Sequence, residues 1–192
     1  MKLTRLLALA AFALPVLAHA HPGHEGHELT WDFTSGATHP LAGWDHLLAM
    51  IAVGLWAALL GGRSRWLVPA AFVGTMMIGA VGGRLCLSLP GIEQGIAASL
   101  FVLGLFIAFS VRLSAAVSMA VVALFALFHG WAHGAEMPAT STGLFYSAGF
   151  VVATALLHAT GLGLGSLLHK QPSLARIAGG AVAAAGVLAC VS

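Results

Sequence analysis

Charge is scarce in this sequence. Eight Lys plus Arg and six Asp plus Glu make up 7% of 192 residues, where a soluble domain typically carries about a quarter. Such scarcity excludes an ordinary soluble enzyme. A formal net charge of +2 leaves nothing for a nucleic-acid partner held by a basic face. Cysteine is scarce too. Cys86 and Cys190 stand alone in apolar runs, with no CxxC, so the spacing describes no disulfide framework and no thiolate metal site. Both read as small packing residues. A GxxxxGK[ST] loop is absent, which excludes ATP hydrolysis by this chain. The GLGLGS stretch at 161–166 follows no strand and is no dinucleotide fingerprint. What the chain has instead is 59% hydrophobic residues, a mean hydropathy of +0.97 and ten histidines, more than its acids or its Lys plus Arg.

Residues 1–20, MKLTRLLALAAFALPVLAHA, join a charged start, an apolar core and an A-x-A pattern, and read as a signal peptide cut after Ala20. An uncleaved first helix is the alternative. Beyond it, apolar runs near 41–60, 67–88, 92–110, 113–134, 143–167 and 174–191 predict an all-α, polytopic bundle of six membrane helices over residues 39–192. A His-rich periplasmic segment, 21–38, would precede it. Arg63, Arg65, Arg112, Lys170 and Arg176 fall in alternate loops, which puts both termini outside by the positive-inside rule. A cut signal peptide agrees. The A-x-A site suits a bacterial inner membrane. Arg84 sits inside the expected second span, and a pair with Glu93 is the default for such a charge.

The chemistry lies in two polar stretches. HPLAGWDHLLAM, 39–50, opens the first span, with Pro40 suited to its first turn and Asp45 and His46 about one turn inside. FHGWAHGAEM closes the fourth, where His129, His133 and Glu136 follow one another at i, i+4 and i+7 and share a helical face. With the fourth span running outward, both stretches reach similar depth near the outer surface. Imidazole and carboxylate ligate divalent first-row metals. Ionisable groups in membrane helices usually mark ion paths. The carbonyl end of the fourth helix favours a cation, while the amide end of the first mildly opposes one. His158, in GFVVATALLHATG, falls deeper and reads as a second station on an inward path. His21 and His24, in the terminal HPGHEGHE, read as a metal-collecting tail. A thioether path through Met50, Met76, Met77 and Met119 is a weaker reading, since methionine usually fills gaps.

HPLAGWDHLLAMIAVGLWA, FHGWAHGAEMP and GFVVATALLHATG, in that order, resemble the HupE/UreJ family of bacterial membrane proteins. The resemblance covers essentially the whole mature chain. It implies a nickel or cobalt permease of about six helices that takes up Ni²⁺ or Co²⁺ from the periplasm, with a link to hydrogenase, urease or cobalamin pathways. It points to His39, Asp45 and His46 in the first motif, His129, His133 and Glu136 in the second and His158 in the third. No prosthetic group is expected, and the metal is cargo. Other classes stay open at this point. Three histidines and a carboxylate can hold a hydrolytic zinc, as in a membrane amidase; facing histidines can clamp haem; a maturation partner would bind metal and move none.

Overall fold

A chain buried in lipid must satisfy its backbone polar groups within each segment, and helix does so. The computed structural model of the protein describes residues 33–85, 87–136 and 143–191, and these contain helices and no strand. In chain order they are α1 (Phe33–Ala42), α2 (Trp44–Leu60), α3 (Ser64–Arg84), α4 (Ile92–Ala108), α5 (Ala115–Ala135), α6 (Leu144–Leu168) and α7 (Pro172–Val191). Four of them, α3, α5, α6 and α7, are long and apolar enough to cross a membrane. The pair α1 and α2 passes that test only jointly, across a bend of 89°. The 17 residues of α4 reach ~26 Å at ~1.5 Å each, a little short of a ~30 Å hydrocarbon core. The protein is a multi-pass, all-helical membrane protein.

The start of the first span differs from expectation. Pro40 does not open α2; it is buried inside α1. Its ring has no N–H to give the Gly36 carbonyl and crowds that turn, which disfavours a long helix through it. The chain leaves α1 two residues later and turns at Gly43, whose extended backbone (φ −96°, ψ 117°) precedes α2. Helix α1 also runs across position 38/39, where the expected His-rich segment meets the membrane domain. It lies on the N-terminal half of α6, with Gly36 against the Tyr146 carbonyl and Gly149 against the Phe33 carbonyl. A Cβ at either glycine would collide with backbone.

Helix α2 is the hub. Met50, Val53, Leu55, Trp56 and Ala57 are all but fully enclosed, as befits a helix that, past Asp45 and His46 in its first turn, is apolar on every side. Small residues let its neighbours close in, the usual device where lipid removes any hydrophobic drive between helices. Gly54 packs on the backbone of His158, Gly161 on the backbone between Ile51 and Leu55, and Gly165 one turn further on Leu55 and Ala58, so α2 and α6 run parallel. Gly130 meets Met76 and Ala80 while Gly134 meets Ala80, and α3 and α5 are likewise parallel. Gly104 meets Ala183 and Gly179 meets Ala108, which makes α4 and α7 antiparallel.

Two hydrogen bonds tie the end of the bundle remote from His39. Trp56 Nε1 donates to the Val111 carbonyl at 3.2 Å, and Arg65 Nη2 donates to Ser166 Oγ at 2.7 Å. Arg84 is the last residue of α3, because that helix ends earlier than the expected span. There a cation complements the carbonyl end. An Arg84–Glu93 pair is not among the ion pairs of the described residues; Arg84 has other interactions.

Candidate metal centre

The site begins with a stripe along α5. Ser118, Val122, Ala126, His129 and His133 are buried at spacings of four, four, three and four, the period of one helix face. The first three are apolar or small, and the stripe then turns polar. Glu136 caps α5 with αR backbone geometry (φ −78°, ψ −11°) and continues the same side. His39 arrives from the last turn of α1, with Nε2 3.0 Å from Glu136 Oε2. His133 Nδ1 lies 3.8 Å from the same oxygen. These three offer ligand atoms within 4.8 Å of one another. Two helix carbonyl ends therefore converge on the trio, and both favour a cation. This corrects the expectation that His39 belongs to an unfavourable amide end. Burial acts to raise the Glu136 pKa, but the imidazoles of His133 and His39 act the other way and prevail, holding the carboxyl below the usual carboxylate range. It is ionised and ready for a cation.

Below the trio comes the start of α2. Asp45 Oδ1 accepts from the His46 backbone N–H at 2.8 Å and lies 3.0 Å from His46 Nδ1. An ionised carboxylate can only accept, so Nδ1 carries the hydrogen. His46 Nε2 is then a lone pair, buried and without a hydrogen-bond partner. A carboxylate behind an imidazole in this way orients it and raises its basicity toward a metal. Thus Asp45 faces His46, a supporting position, while the trio above carries its own carboxylate.

The rings form a file. His39 and His133 have centroids 4.8 Å apart, His133 and His46 4.6 Å, and His46 and His129 5.0 Å. Side-chain exposure falls from 51% at Glu136 and 28% at His39 to 6% at His133, and His129 is fully enclosed. The residues expected as one outer cluster are thus brought together, but strung inward over more than a helical turn. Both nitrogens of His133 lack hydrogen-bond partners. His158 stands apart, as its depth predicts, on an α6 that continues unbroken through Thr160 and Gly161. Phe72 separates it from the file, with its ring 5.5 Å from His129 and 5.3 Å from His158. Both His158 nitrogens are buried without hydrogen-bond partners. His21 and His24 lie outside the described residues.

Several participants escaped the sequence reading. Phe72 comes from α3, Ser99 from α4 and Phe150 from α6, the last packed 4.3 Å from the His133 ring. Ser99 Oγ lies 3.0 Å from His129 Nε2. A serine in the apolar run IAASLFVLGLF was the one available signal, and serine is common in membrane helices. The family model described as HupE / UreJ protein matches residues 7–189. The chain belongs to the HupE/UreJ family. Protein HupE of Rhizobium leguminosarum bv. viciae is 49% identical to it over 181 residues, 93% of this chain and 92% of that protein. No solved structure matches. The stretches that carry the HupE/UreJ resemblance are the ones that supply the histidine file: HPLAGWDH gives α1's last turn and α2's first, and FHGWAHGAE gives the end of α5.

Proposed function

We propose that this HupE/UreJ protein is a secondary permease that moves Ni²⁺ or Co²⁺ from the periplasm to the cytoplasm of a bacterium. In this reading it resides in the inner membrane, loses residues 1–20, and crosses six times with both termini outside. The observation that carries it is the gradient of the file: imidazoles at 4.6–5.0 Å centroid spacing lead from half-exposed Glu136 and His39 to enclosed His129. A site for a resident metal needs one cage; a series of partial sites of falling exposure suits an ion that must enter, shed water and leave again. The association of the family with nickel and cobalt uptake agrees with an all-nitrogen and oxygen donor set, which suits those ions.

The steps follow the order of the side chains. The tail with His21 and His24 collects the cation, and His39, His133 and Glu136 accept it with part of its hydration replaced. His46, supported by Asp45, and His129 take it inward. His158 is the next station, past Phe72. Two residues along α2 from Gly54, which packs on His158, Trp56 lines a hollow of ≈ 200 Å³ at the opposite end, together with Phe106, Arg112 and His169. A cationic Arg112 there disfavours retention and promotes release. The membrane potential supplies ~2.3 kcal/mol per charge per 100 mV for an inward cation. The test is metal accumulation in cells carrying His46→Ala or His133→Ala. Each is expected to abolish nickel and cobalt uptake while the protein stays in the membrane at its normal level, and normal uptake by both would refute the assignment.

A further inference from the structure

The histidine file is built from α1, α2 and α5, yet its most enclosed member is held by a helix that bears none of these motifs. Past Glu93 and Gln94 in its first turn, helix α4 is apolar except for Ser99, which is fully buried. Its hydroxyl has a single proton, and Oγ lies 2.6 Å from the Ile96 carbonyl oxygen. A carbonyl can only accept, so that proton is committed to Ile96. The same Oγ is 3.0 Å from His129 Nε2, and with its proton already used the oxygen can only accept there. The hydrogen must be on Nε2. A neutral imidazole has one N–H, so Nδ1 of His129 is a bare lone pair. That atom is buried and has no hydrogen-bond partner, and the neighbouring His46 ring, 5.0 Å away, also keeps a bare nitrogen, Nε2.

We propose, resting on the permease reading, that Ser99 is a positioning residue: by accepting from His129 Nε2 it fixes the tautomer in which Nδ1 is the nitrogen that takes the cation. It does for His129 what Asp45 does for His46, with a neutral partner in place of a charged one. The contrast in strength matters. A carboxylate makes His46 the more basic donor, whereas a hydroxyl whose proton is already engaged orients His129 without adding charge to the deepest ligand of the file. The two rings then present opposite nitrogens, Nε2 from α2 and Nδ1 from α5, as successive donors.

The experiment uses the purified full chain in detergent with ¹⁵N-labelled imidazoles. Nitrogen shifts of the metal-free protein, assigned by the resonance lost in His129→Asn, are expected to show a protonated Nε2 and an unprotonated Nδ1. Replacing Ser99 by alanine should give a mixture of tautomers at His129 and weaken Ni²⁺ binding by about 10- to 100-fold, the usual effect of removing such support. A wild-type His129 protonated on Nδ1 overturns the proposal whatever Ser99→Ala does, including a failure of that variant to fold. So does Ni²⁺ affinity in folded Ser99→Ala equal to that of the wild type. The permease reading fails separately, if cells with the wild-type protein accumulate no metal although the tautomer is as described.

Discussion

Asp45 and Glu136 are both carboxylates near histidines, and their geometries assign them different work. Glu136 stands at the half-exposed end with two imidazoles around one oxygen, where in the proposed permease an arriving cation would meet it directly. Asp45 turns one oxygen to both the backbone and the ring of His46, so its effect on a metal passes through that ring. Asparagine at position 45 would keep the size and an accepting oxygen but lose the charge that makes Nε2 a strong donor. Asp45→Asn is therefore expected to weaken Ni²⁺ binding by about 10- to 100-fold while His46 stays in its present tautomer. Titration calorimetry on the purified protein measures the first, and imidazole ¹⁵N shifts the second. Unchanged affinity would return Asp45 to a purely structural part.

At the scale of helices, the close pairing of α2 with α6 sets where His46 and His158 stand relative to each other. Gly161 has no room for a side chain: a Cβ there would strike the Ile51 carbonyl and the Leu55 nitrogen, whereas two residues along, Gly163 faces open space. Gly161→Ala should push the helices apart at a cost of about 1–3 kcal/mol, as overpacking does. Gly163→Ala should be neutral or stabilising by up to ~1 kcal/mol, since glycine is a poor helix former. Thermal unfolding of the two variants in one detergent checks the pair, and equal melting points would contradict the packing.

The same scale explains what could be read in advance. His129, His133 and Glu136 were legible as one face because helix period alone puts them there. The meeting of the polar stretches of the first and fourth expected spans was legible because both were placed at one depth. Helix α1 was not, because a proline near the start of an apolar run fits either the first turn of one helix or the end of another, and only the contact of Gly36 with α6 distinguishes them. Ser99 and Phe72 lie on α4 and α3, in segments without a polar pattern. Their roles come from contacts between helices, and such contacts leave no period in the sequence.

For the molecule as a whole, the helix registers bear on sidedness. Parallel α2 and α6, parallel α3 and α5 and antiparallel α4 and α7 are the relations expected if successive helices from α2 to α7 alternate in direction. The starts of α2 and α6 and the end of α5 then share one surface with His39 and Glu136, while Arg65, Arg112 and His169 lie toward the other. A bend of 89° between α1 and α2 keeps the first helix on the histidine side. Basic loops resist translocation, so the proposed uptake reading puts the histidine surface on the periplasmic side. In a Cys86→Ser, Cys190→Ser background, Gln94→Cys at the exposed start of α4 should react in intact spheroplasts with a membrane-impermeant maleimide. Gln171→Cys, in the exposed turn before α7, should react only after permeabilisation. The reverse pattern would place the file on the cytoplasmic side, where the same imidazole series would receive metal from inside and the transport direction argued from it would have to be inverted.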